Sequence, residues 1–168
     1  DGSSLSLQAI PYATAIAGPK GRLVFTTILD PVEPQRDKLG HALPLTEQDQ
    51  GRVAARAAEY LESVAASTIH GSGPAHVVVS TGDPAQEILR IAVEEEIDVI
   101  AIASHGRGTL GRLRFGSVAD RVSRSSDVPV LVVRPEDGNA EADPGRIGKF
   151  VVALDGSDRA ERALEVIA

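Results

Sequence analysis

The chain reads as an α/β protein built on a doubly wound parallel sheet, and three observations predict this. Short apolar runs rich in Val and Ile alternate with longer segments of helical periodicity, the order that parallel strands joined by crossover helices require. The clearest run, Asp98 to Ala103, is apolar without a polar alternation, as a strand covered on both faces is. Aromatic residues make up only 3% of the 168 positions, and Trp, Met and Cys are absent, so the core must be assembled from Val, Ile, Leu and Ala.

Taken in order, Leu23 to Leu29 is a strand, followed by a polar loop from Asp30 to Leu45 that holds three prolines. Thr46 to Ser67 is a helix, with Thr46 and Asp49 spaced as in a capping box. His76 to Ser80 is the next strand. Gly82-Asp83-Pro84 then supplies a turn and a proline at the first helical position, opening a helix over Pro84 to Glu95. Asp83 is a turn and helix-start residue, and the run Glu94-Glu95-Glu96 is a solvated helix end. The strand Asp98 to Ala103 follows. A helix begins after Gly116, carrying Val118 and Val122 with Arg121 between them, and Pro129 to Val133 is the last strand of this series. Glu136 to Arg146 has almost nothing apolar and reads as a linker within 136–149.

The most informative stretch is Ser104-His105-Gly106-Arg107-Gly108 with the second glycine step Gly116-Ser117-Val118. A buried strand feeds it and a helix leaves it, which is the layout of a phosphate-binding loop. A helix N-terminus offers unpaired backbone N–H groups and the positive end of its dipole, and glycine lets an anion approach the backbone. Ser117 reads as a helix cap and as a phosphate ligand, and the two readings are compatible. His105 reads either as a phosphate contact or as a solvent-facing loop histidine, while Arg107, Arg112 and Arg114 read as solvated.

Composition excludes several classes. Without cysteine there is no disulfide and no thiolate metal site. A formal net charge of −7 argues against the sequence-independent phosphate contacts of nucleic-acid-binding proteins. No apolar run approaches the roughly 20 residues that span a bilayer, so the expectation is a cytoplasmic protein with no membrane or nucleic-acid partner.

An internal repeat completes the pattern. Asp1-Gly2-Ser3 recurs as Asp155-Gly156-Ser157, and each copy leads into a helical segment with Ala9-Ile10 or Ala163-Leu164 at matching offsets. Phe150 to Leu154 supplies a strand before the second copy only. The expected organisation is one domain over 1–135 without its first strand, a linker over 136–149, and the opening of a second copy over 150–168.

These residues resemble the universal stress protein family, whose domains open with a strand ending in an Asp-Gly-Ser-like turn and carry a Gly-Asp-Pro turn after the third strand. The family's nucleotide signature is Gly, two residues, Gly, nine residues, then Gly followed by Ser or Thr. Gly106, Gly116 and Ser117 match its later positions, and Ala103 stands at the first. The resemblance covers residues 1–135 and again 150–168. It implies a five-stranded sheet in the order 3-2-1-4-5, with helices on both faces and ATP across the carboxyl ends of strands 1 and 4; the glycine loop adds the expectation that Mg²⁺ assists. In that order Leu23 to Leu29 is the second strand and Asp98 to Ala103 the fourth. The physics of doubly wound sheets favours the same crevice.

Carried over by position, the resemblance implies that Asp155, or its copy Asp1, bonds the adenine or ribose, and that Ile28 lines the adenine slot. Ala103 and Gly106 would lie against ribose and phosphates, and Ser117 and Val118 would hold phosphate oxygens through backbone N–H groups. The first strand of the implied order sits between the second and fourth, and Phe150 to Leu154 is the spare strand with the right character to fill it, from within this chain or swapped from a neighbour. The 136–149 linker spans roughly 45 Å at about 3.3 Å per residue, enough to bring it there. Val128 to Val133 lies at a sheet edge and is apolar, which predicts a homodimer or a pseudo-dimer with a tandem domain through that strand. Three functions are in contention: an ATP-binding regulatory module that signals by association, a slow ATPase, and a dimerising module without nucleotide. Against the ATPase stands the lack of a Gly-Lys-Ser/Thr phosphate loop or a carboxylate pair for magnesium.

Overall fold

The computed structural model describes residues 3–31, 35–36, 42–43, 47–68, 73–104 and 116–134. A 3₁₀ turn at Ser6–Ala9 leads into α1 (Ile10–Ala17), then β1 (Leu23–Leu29), a short pair β2 (Gln35–Arg36) and β3 (Ala42–Leu43), and the long helix α2 (Glu47–Thr68). Next come β4 (Ala75–Thr81), α3 (Pro84–Glu94), β5 (Ile100–Ala103), α4 (Ser117–Ser125) and β6 (Val130–Val133).

Strands pair in parallel as β1 with β4, where Leu23 faces Ala75 and Leu29 faces Thr81, and as β5 with β6, where Ile100 faces Val130 and Ala103 faces Val133. These pairings join the second strand of the expected order to the third, and the fourth to the fifth. β1 and β5 do not pair with each other among the described residues. The helix α1 contacts both of them, and the 3₁₀ turn rests on β5 and β6.

The core beside β5 shows why small aliphatic residues suffice. Ala85 and Ala92 of α3, Ile100 of β5 and Val122 of α4 form one buried cluster. Ile88, Leu89, Ile97, Val118, Val128 and Val130 pack around it. Val122 is fully enclosed, and burying a valine contributes about 1.5–3 kcal/mol. On α4 the apolar residues Val118, Ala119 and Val122 form one stripe, while Asp120 and Arg124 pair outside it at 3.0 Å with i,i+4 spacing.

Most boundaries shift by one or two residues from those read in the sequence. Larger differences have identifiable causes. The segment 30–45 contains a two-residue antiparallel ladder, β2 with β3, where a loop was expected; two pairs are too short to leave a periodic signal. β5 begins at Ile100, because α3 ends in a Schellman turn that occupies the residues after it. Ile97 N–H reaches back to the Ala92 carbonyl at 2.9 Å, and Glu96 N–H to that of Val93 at 3.3 Å. Glu96 takes φ 50° to close this turn. β6 begins at Val130 and not at Val128, because the backbone of Val128 is engaged in a turn with the Ser126 hydroxyl at 2.7 and 3.1 Å.

The triple glutamate is not a plain solvated end. Glu95 accepts from Arg22 at 2.7 Å and lies 3.1 Å from His76 Nδ1, so it ties the starts of β1 and β4 to the end of α3. Glu94 pairs with Arg90. The expected linker, the strand at Phe150 to Leu154 and the start of the capping box at Thr46 lie outside the described residues.

Candidate functional site

The site is built where β5 ends and α4 begins. Ala103 closes β5 opposite Val133, and Glu96 is the one described non-glycine residue with positive φ. The methyl at position 103 is therefore accommodated on ordinary backbone. Ser104 follows, only 2% exposed. Its N–H donates to the Val133 carbonyl at 2.9 Å, carrying the parallel ladder one residue past the strand. Its Oγ accepts the N–H of Gly116 at 2.8 Å, across twelve positions of sequence.

Gly116 is the N-cap of α4, with φ −56° and ψ 146°, and its carbonyl accepts the Asp120 N–H at 2.9 Å. Ser117, expected as the cap, is instead the first helical residue. It is exposed, and the N-cap is a glycine, which has no side chain to cap with. The hydroxyl that meets the first amide of this turn comes from Ser104, on a different element, and spacing within the helix does not reveal that.

Ser117, Val118 and Ala119 are the first three helical residues, whose N–H groups have no acceptor within α4 itself. They are the donors that a helix start leaves for an anion. The side chain of Val118 packs on the core cluster, which anchors this turn from below. The charges nearby are already matched. Asp120 in the first turn is held by Arg124 at 3.0 and 3.1 Å, and Arg121 donates to Asp83 Oδ2 at 2.7 Å.

Asp83 does what the turn motif predicted and more. Its Oδ1 accepts the Gln86 N–H at 3.0 Å as the N-cap of α3, with Pro84 next. Gly82 before it sits at φ 148°, a conformation that needs glycine, and its N–H returns to the Leu29 carbonyl at 3.1 Å. The Arg121 guanidinium, followed by the Gln86 amide, holds the Asp83 carboxyl below its ordinary range. Glu87 is lowered by Arg90 and by the Ser80 hydroxyl, and Glu95 by Arg22 and then His76.

Of the residues named from the sequence, Ala103, Gly116, Ser117 and Val118 come together around Ser104. Ile28 lies near the carboxyl end of β1, opposite Ser80. Asp1, His105, Gly106 and Asp155 lie outside the described residues, as do Arg107, Arg112 and Arg114. Two surface clefts, of about 320 and 270 Å³, lie elsewhere: one between α2 and β4, the other between α3 and the α4–β6 turn. Among the described residues, no three His, Cys, Asp or Glu side chains gather as metal ligands. No helix among them is long and apolar enough to cross a membrane.

A match to the universal stress protein family runs over residues 1–134. The chain belongs to this family. A universal stress protein of Thermus aquaticus is 31% identical over 134 residues, covering 80% of this chain and 93% of the relative. The universal stress protein MJ0577 of Methanocaldococcus jannaschii is 40% identical over 57 residues, covering 34% of this chain and 35% of the relative. The solved structure of MJ0577 superimposes with a TM-score of 0.59 at 20% identity, over 81% of this chain and 94% of that one. A universal stress protein in complex with cAMP superimposes with a TM-score of 0.51 at 24% identity, over 80% of this chain and 90% of that one. These two likenesses establish the α/β fold of the universal stress proteins.

Proposed function

We propose that this universal stress protein binds an adenine nucleotide, ATP in preference to GTP, and signals by changing its associations. The observation that carries this reading is the row of backbone donors at Ser117, Val118 and Ala119, set at the carboxyl end of a parallel strand by a buried serine. Three N–H groups at a helix start suit phosphate oxygens. The cAMP complex of a protein with this fold supports an adenine nucleotide as the ligand.

In this proposal the Ser117 and Val118 amides and the Ser117 hydroxyl hold phosphate oxygens. Ala103 and Gly106 lie against ribose and phosphates, with His105 beside them. Ile28 lines the adenine slot, and Asp155 or Asp1 bonds adenine or ribose. Mg²⁺ accompanies the phosphates. The sheet order 3-2-1-4-5 puts one strand between β1 and β5, and Phe150 to Leu154 is our candidate for it. Removing residues 150–168 then leaves two strand edges unpaired and lowers stability by several kcal/mol, on the order of 1–3 kcal/mol for each buried group left unmade. An unchanged unfolding midpoint would exclude that placement.

Equilibrium binding to purified protein tests the main reading. ATP should bind and GTP should compete poorly. Failure of ATP to bind while the protein self-associates would favour the dimerising module without nucleotide, and phosphate release over hours would favour the slow ATPase.

A further inference from the structure

We propose that Ser104 is the positioning residue of the phosphate site, acting through Gly116; this rests on the nucleotide reading above. A serine at 2% exposure directly after an apolar strand carries a desolvation cost unless its hydroxyl is bonded. Here the oxygen accepts the N–H of Gly116 at 2.8 Å, and the backbone N–H of the same residue is held by Val133 at 2.9 Å. One residue therefore joins β5, β6 and the start of α4.

That bond determines which amides are left for a ligand. The helix start has four N–H groups in its turn, from Gly116 to Ala119, and the first is taken by Ser104. A phosphate is thereby directed to Ser117, Val118 and Ala119. With Gly116 held, the turn is fixed before a ligand arrives, and the three remaining donors with it. Preorganisation of this kind raises affinity by reducing the ordering cost of binding. It acts on the phosphate end of a nucleotide and has no bearing on the adenine end.

Ser104→Ala and Ser104→Thr test this by titration with ATP and with adenosine. Alanine removes the acceptor and threonine keeps it. The proposal expects Ser104→Ala to weaken ATP about tenfold, the effect of one lost hydrogen bond, with adenosine affinity unchanged and Ser104→Thr close to wild type. Equal loss for ATP and adenosine would show a general structural role and overturn the proposal, as would wild-type ATP affinity in Ser104→Ala. Failure of the wild-type protein to bind ATP would instead overturn the nucleotide reading itself, and the positioning role with it.

Discussion

Asp83 and Arg121 join the N-cap of α3 to the second turn of α4 through a 2.7 Å ion pair, so the helix that offers the phosphate donors is tethered to the turn after β4. The same carboxylate accepts the Gln86 amide, which makes it both a cap and a cross-link.

This pairing predicts an acid-side stability change. The folded-state pKa of Asp83 is depressed below 3.8, first by Arg121 and then by Gln86. Its contribution is therefore fully present above that value and is lost as pH falls through the folded-state pKa. Asn keeps the capping oxygen but not the charge. Asp83→Asn should lower stability at neutral pH and flatten the decline below pH 3.8. Urea unfolding across pH checks this, and parallel acid limbs in variant and wild type would contradict it. Glu87 and Glu95, depressed from 4.5, contribute to the same decline in the wild type.

Glu96 closes α3 at φ 50° without the conformational freedom of glycine. Glu96→Gly should stabilise the protein by about 1 kcal/mol, since a left-handed residue with a Cβ costs roughly 1–2 kcal/mol. Thermal unfolding reads the change, and a lowered midpoint would contradict this account of the Schellman turn.

A Cβ at Gly116 would meet Ser104 Oγ at 3.5 Å, an ordinary contact, and the backbone there has no positive φ. Gly116→Ala should therefore fold normally. The branched side chain of Gly116→Val crowds the Ser104 hydroxyl and the approach to the helix start, so ATP affinity should fall by about tenfold or more. Calorimetric titration of both variants decides it. Wild-type affinity in Gly116→Val would remove Gly116 from the site.

β6 pairs with β5 on one side, and no second strand flanks it among the described residues. We propose that a homodimer, or a pseudo-dimer with a tandem domain, forms through Val128 to Val133, with antiparallel contact along the open edge of Val130–Val133. Sedimentation equilibrium should give twice the 17.6 kDa chain mass. A monomer at high protein concentration would contradict it.

The parts of this molecule legible in the sequence are those set by local chemistry. Gly82-Asp83-Pro84 marked a turn, a cap and a helix start, and each is present because φ, the carboxylate and the proline ring act within a few residues. The strand at Ile100–Ala103 is visible in its unbroken apolar run. What escaped depends on long-range partners. Glu95 looked like one of three solvated acids until Arg22 and His76, distant in sequence, were placed beside it. The role of Ser104 is hidden in the sequence because its partner Gly116 is twelve positions away. A small polar residue ending a buried strand is the signal that pointed to it.

In the proposed function the first turn of α4 holds the phosphates of an adenine nucleotide, and amide chemical shifts report on that turn directly. In a ¹⁵N-labelled sample titrated with ATP, the resonances of Ser117, Val118 and Ala119 should move most, adenosine should leave them nearly still, and Gly116, held by Ser104, should move less. Movement confined to amides elsewhere, with these three unchanged at saturating ATP, would contradict the account.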